Sequence, residues 1–139
     1  MSAPVVDCST TAAWILSDEQ SRVADAALEA VRGNGALVPA LWWLEIRNAL
    51  LRAERLGRIE SGDTDAALSR LRRLRIQLDH APREDEVMRL ARTCGLTAYD
   101  AVYLDLALRD HRRLATLDRK LARAARSVGV EVIGITPTR

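Results

Sequence analysis

The chain has 139 residues, enough for one domain whose core removes about two-thirds of the unfolded surface from water without disulfides or a structural metal. Apolar residues at 48% and charged residues at 29% exclude a disordered chain, and a net charge of +2 points to no particular partner. The two cysteines, Cys8 and Cys94, form no Cys-x-x-Cys pair and suit a reduced, cytoplasmic setting.

The opening stretch MSAPVVDCSTTAAWIL has no basic region and carries Asp7 within its apolar part, so it does not read as a signal peptide. Val5-Val6 predicts a first strand ending in Asp7. Helical patterns follow over residues 10–17 and 20–32, the second stopped by "RGNG", and then a strand over 36–38. The longest uncharged run, Gly33 to Leu44, is too short to cross a bilayer as a helix. Helices are predicted over 41–56 and 62–73, a strand over 75–78, and helices over 83–93 and 98–110. A strand over 113–117 ends in Asp118, a helix over 119–127 ends near Gly129, and a last strand covers 130–133. Short strands alternating with helical crossovers predict a parallel sheet covered on both faces, as one α/β domain over 1–139. In such sheets ligands collect beyond the carboxyl ends of the strands, where strand order reverses.

Two carboxylates, Asp7 and Asp118, stand at predicted strand ends, and two more, Glu45 and Asp100, at the first turns of predicted helices. Each has a plainer explanation. Asp7 fits a turn before Ser9 and Thr10, Asp118 fits the N-cap of "RKLARAAR", and Asp100 fits a capping box with Thr97. Glu45 forms a narrow polar stripe with Asn48 and Arg52 on an otherwise apolar helix, beside Trp42, Trp43 and Leu44. An ion pair with Arg52 or the helix dipole accounts for its charge, but not for its crowding. A joint reading is more economical: four acids converging on one crevice repel one another, and a divalent cation removes the conflict. All-oxygen ligation favours Mg²⁺ or Mn²⁺ over zinc, and His80 and His111 are isolated. Acids holding Mg²⁺ suit the cutting of phosphate esters.

"VVDCS", "WWLEIRNALL", "LTAYDAVYLDLAL" and "LATLDRKL", in that order and spacing, resemble the PIN-domain ribonucleases, most closely the VapC toxins of bacterial toxin–antitoxin pairs. The resemblance runs from Val5 to about Ile133 and implies a three-layer α/β/α sandwich with a five-stranded parallel sheet in order 3-2-1-4-5. It implies a metal-dependent endoribonuclease in which Asp7, Glu45, Asp100 and Asp118 form the catalytic and metal-holding quartet. Asp7 and Asp100 are the implied direct ligands of Mg²⁺ or Mn²⁺, with a metal-activated water as nucleophile. Ser9, Asn48 and Thr116 match the residues that orient the acids or water. The implied partners are RNA, a cognate antitoxin and a second copy of the chain, with no membrane. Asp105, about 140° around the helix from Asp100, reads as a solvated surface acid.

Basic runs near a site for RNA are "SRLRRLR" (Arg70, Arg72, Arg73, Arg75) and "RDHRR" (Arg109, Arg112, Arg113), although solvated helix faces account for most of them. No aromatic interleaving marks a base-stacking platform, and Trp14, Trp42 and Trp43 read as core or interface residues. A receiver-like domain could use Asp7 and Asp79 but requires an acidic pair after the first strand and a late lysine, which "VDCS" and "GITPT" do not supply. A dehalogenase-type phosphatase requires Asp-x-Asp, and position 9 is serine. A non-catalytic module on the same fold has no need of four intact acids.

Overall fold

The computed structural model describes residues 2–16 and 21–134, so residue 17 of the first predicted helix and residue 20 of the second lie outside the described residues. In chain order the elements are β1 (Val5–Val6), α1 (Cys8–Leu16), α2 (Arg22–Asn34), β2 (Ala36–Pro39), α3 (Leu41–Arg55) and α4 (Ser61–Arg72). They continue with β3 (Ile76–Asp79), α5 (Glu84–Cys94), α6 (Ala98–Arg109), β4 (Leu114–Ala115) and α7 (Arg119–Ser127). The four strands form one parallel sheet in order β3-β2-β1-β4, in a three-layer α/β/α arrangement. Val5 pairs with Leu37 on one side and Leu114 on the other, and Leu37 pairs with Gln77.

β1, β2 and β4 are continuous apolar runs because helices cover both faces, whereas the edge strand β3 alternates apolar and polar residues. Val5, Val6, Val38 and Leu114 are fully buried, and Ile46, Leu50, Leu104, Leu106 and Leu121 pack around them. On α3 the buried positions Trp42, Ile46, Leu50 and Ala53 follow helical spacing and define the face turned inward. Trp42 is core, but Trp43 is 45% exposed with the Arg47 guanidinium stacked 3.6 Å from its ring centroid. Gly35, which joins α2 to β2, has φ 76°, and a Cβ there would stand 2.6 Å from the Arg75 carbonyl oxygen, so glycine is required where β2 begins beside β3.

The fifth predicted strand shrinks to a single parallel bridge, Val132 to Leu114, with Leu114 N donating to Glu131 O and Ile133 N to Leu114 O, both at 2.9 Å. Its neighbour β4 offers only two residues, and the segment is bounded by Gly129 and Gly134, both at positive φ. Gly134 also packs against Val23, where a Cβ would come within 2.9 Å. Among the described residues no helix is long and apolar enough to cross a membrane.

Candidate functional site

The chain lays down β1, β2 and β3 in one direction and then returns to place β4 on the other flank of β1, so strand order reverses between β1 and β4. Asp7 follows β1 directly, and Asp118 follows β4 as the N-cap of α7. Both therefore stand at the crevice expected of an open α/β sheet.

Asp7 is only 4% exposed and is held on every side. Its Oδ1 accepts from Ser9 Oγ at 2.8 Å and from Thr10 N at 3.0 Å, and its Oδ2 accepts from Thr116 Oγ1. Burial raises its pKa more than these hydrogen bonds lower it. The same hydroxyls reach across to the other strand end. Ser9 Oγ accepts from Leu117 N at 3.0 Å, and Thr116 Oγ1 accepts from Asp118 N at 3.0 Å. Two small hydroxyl residues thus clamp the Asp7 and Asp118 segments together. Asp118 Oδ1 also accepts from Lys120 N and Leu121 N, so its capping function and its place at the crevice coexist.

Glu45 and Asp100 arrive on helices. Trp42 Nε1 donates to Thr11 Oγ1 at 3.0 Å, and Thr11 Oγ1 donates to the Asp7 carbonyl at 3.0 Å, which fixes the start of α3 against the end of β1. Glu45, one turn into α3, accepts from the buried Tyr103 phenol of α6 at 2.6 Å. Asp100 occupies the first turn of α6, where Thr97 Oγ1 accepts from its backbone N–H at 3.1 Å. Burial raises the Glu45 pKa, with Asp7 and Asp100 adding to the effect. Burial also raises that of Asp100, with Asp118 and Asp7 adding, while Lys120 opposes. The Cys8 thiol is pushed up to about 12 by burial and then by Glu45 and Asp7. These mutual effects place all four acids in one electrostatic neighbourhood.

The four do not form a closed cage. Among the described residues no three His, Cys, Asp or Glu side chains stand ready to hold an ion by themselves. The donor set nevertheless fits a hard cation. The four acids offer only oxygen, burial raises the pKa values of Asp7, Glu45 and Asp100, and the neighbouring Cys8 thiol is kept protonated. An open site suits Mg²⁺, which keeps several waters and needs only one or two carboxylates.

Of the predicted supporting residues, Ser9 and Thr116 bond Asp7 directly, whereas Asn48 is exposed on α3. Thr11, Trp42 and Tyr103 were not singled out as site residues. Tyr103 lies three residues after Asp100 and therefore on the same helix face, a signal present in "YDAVY".

One sequence expectation is corrected. Asp105 is fully buried rather than solvated: Arg83 bonds it through Nε at 2.8 Å, through its other guanidinium nitrogen at 2.7 Å and through its backbone N–H at 3.2 Å. The angle from Asp100 misled because α6 is buried nearly all round. Of the basic runs, Arg70, Arg72, Arg73 and Arg75 are exposed, in keeping with the solvated reading, whereas the second run is partly engaged in the fold. Arg109 is committed to Asp79 in a two-pronged pair at 3.1 and 2.7 Å, and Arg112 and Arg113 are half-buried. Arg73 and Arg75 lead into the amino end of β3 and Arg112 and Arg113 into that of β4, so these residues lie at the sheet edge opposite the acids. Among the described residues, Lys120 is a cation close enough to Asp100 to favour its charged form.

A PIN domain family model matches residues 5–127. The curated protein Ribonuclease VapC3 of Pyrobaculum aerophilum is 31% identical over 122 residues, covering 85% of this chain and 91% of the relative. The crystal structure of PAE2754, also from Pyrobaculum aerophilum, superposes with a TM-score of 0.73 at 27% identity, covering 94% of this chain and 89% of that one.

Proposed function

Because this chain belongs to the PIN-domain family, in its VapC branch, we propose that it is a metal-dependent endoribonuclease and the toxin of a toxin–antitoxin pair, acting as one domain over 1–139. The observation that carries this reading is the gathering of Asp7, Glu45, Asp100 and Asp118, remote in sequence, into one crevice where each resists ionisation or repels a neighbour. Asp7 and Asp100 would hold Mg²⁺ or Mn²⁺ most directly, with Glu45 and Asp118 completing the set through water or contact.

A bound divalent ion supplies Lewis-acid polarisation of a phosphoryl oxygen and a water of lowered pKa. The chain's own residues supply placement. A carboxylate has about four lone-pair sites, and Ser9, Thr10 and Thr116 occupy three on Asp7, leaving one on Oδ2. That arrangement fixes the direction in which Asp7 can accept a further partner. Asp118 is anchored through Oδ1 and keeps Oδ2 free to orient a water. Lys120 gives the RNA phosphates one cation among the acids. Asn48, exposed on α3 three residues after Glu45, would orient water or substrate.

The expected partners are a cognate antitoxin and a second copy of the chain. The apolar surface for such contacts includes Leu44 at 61% and Leu51 at 41% exposure on α3. A groove of about 1060 Å³ between α1, α3 and α4 adds to it, lined by Trp14, Ile15, Ala53 and Ile59.

Asp7→Asn and Asp100→Asn are expected each to lower RNA cleavage by more than about 100-fold, beyond the effect of outer-shell changes, with the far-UV circular dichroism unchanged. Clean preparations of both variants that still cut RNA in a Mg²⁺-dependent, EDTA-sensitive manner would falsify the assignment.

A further inference from the structure

We infer that Tyr103 is a positioning residue for the acid cluster: its buried phenol holds the Glu45 carboxylate and ties together the two helices that carry Glu45 and Asp100. The inference rests on the nuclease reading of the same crevice. Tyr103 is 1% exposed, and its hydroxyl donates to Glu45 Oε1 at 2.6 Å across 58 positions of sequence. Among the described residues this is the hydrogen bond that joins α3 to α6 side chain to side chain. A phenylalanine would fill the same volume, so packing alone does not call for the hydroxyl.

The bond also has a fixed direction. A phenol ordinarily keeps its proton to about pH 10 and an ionised carboxylate can only accept, so Tyr103 is the donor. A neutral donor steadies a carboxylate that Asp7 and Asp100 repel, without introducing a cation that would compete with a metal ion. It occupies Oε1 and leaves Oε2 without a protein hydrogen bond among the described residues. Asp100 lies one helical turn before Tyr103, so the same hydroxyl sets the spacing between the Glu45 and Asp100 carboxylates.

The test is Tyr103→Phe, with Mn²⁺ binding to the full chain measured calorimetrically beside the Mn²⁺ dependence of RNA cleavage. The variant is expected to bind Mn²⁺ about 10- to 100-fold more weakly, and saturating Mn²⁺ is expected to restore most of kcat. In the Glu45→Gln background, the same change should cost little further affinity. Wild-type Mn²⁺ affinity in Tyr103→Phe, or an equal loss in the Glu45→Gln background, overturns the inference. Wild-type protein that binds no Mn²⁺ overturns the nuclease reading and the inference with it.

A second measurement avoids dependence on the folding of Tyr103→Phe. The chain has two tyrosines, so Tyr99→Phe leaves Tyr103 as the single site for fluorotyrosine labelling. Its fluorine resonance is expected to shift on adding Mg²⁺ alone, and to stay still in the Glu45→Gln variant. A resonance that ignores Mg²⁺, or that responds equally without the Glu45 charge, counts against a link through Glu45.

Discussion

Asp7, Glu45 and Asp100 are acids whose charged forms the fold disfavours, and this sets the pH response of the metal-free protein. Each has a folded-state pKa above its unfolded value, so between the two values the folded state binds more protons. Their contribution to stability is therefore fully present below the ordinary carboxylate range, about pH 4, and is lost as pH rises through the raised folded values. Asp79 behaves oppositely. Its hydrogen bonds to Arg109 hold its pKa down, so its contribution is present above the ordinary value and lost as pH falls through the folded one. Wild type minus Asp7→Asn isolates the first effect. In EDTA the variant is expected to melt a few degrees higher than wild type at neutral pH, with the gap closing toward pH 4. Millimolar Mg²⁺ should raise the melting temperature of wild type and leave Asp7→Asn nearly unmoved, as scanning calorimetry can show.

Helix α6 is the element that integrates the site with the scaffold. Asp100, Tyr103, Asp105 and Arg109 each engage something different: the acid crevice, Glu45, Arg83 and Asp79. The Arg83 side chain is itself 44% exposed, but that of its partner Asp105 is fully buried. Arg83→Ala is expected to cost about 3 kcal/mol, because it strands a carboxylate in the interior with only Arg109 Nε, 3.8 Å away, and one backbone N–H. Urea denaturation with an unchanged m-value would report it.

This same helix marks the limit of what the linear pattern revealed. The element order and most boundaries were legible, because apolar periodicity and glycine stops are local properties. The placement of Asp7 and Asp118 was legible because acids at strand ends in an alternating α/β chain share one end of the sheet. The depth of Asp105 was not, since Arg83 is its compensating charge and lies 22 residues earlier. The shortening of the fifth strand also escaped, because it depends on the two-residue length of its neighbour β4. Trp42 and Thr11 were hidden for a similar reason: a single hydrogen bond between distant side chains has no periodic signature.

At the scale of the molecule, charge is distributed against the simplest picture of RNA binding. The net charge is only +2, and several arginines sit at the sheet edge away from the acids or are engaged in the interior. Electrostatic attraction near the crevice therefore rests on few contacts, and the salt dependence of RNA binding should be shallow. Lys120→Ala is expected to weaken binding and to reduce the slope of log Kd against log salt by about 0.7 to 1, while leaving the melting temperature within about two degrees. Titrations of a short RNA between about 50 and 200 mM salt would measure it.

The clamp that Ser9 and Thr116 make between the first and the fourth strand has a temporal side. Asp7 leaves the ribosome early and Asp118 late, and Thr116, which locks the first acid in place, arrives only two residues before the last. A nascent chain that has emerged through α6 already carries three of the acids, yet Asp7 still lacks the hydroxyl on its second oxygen and its partner across the crevice. The acid cluster is thereby completed only once the fourth strand has emerged, so a chain halted before it holds its first acid without the lock.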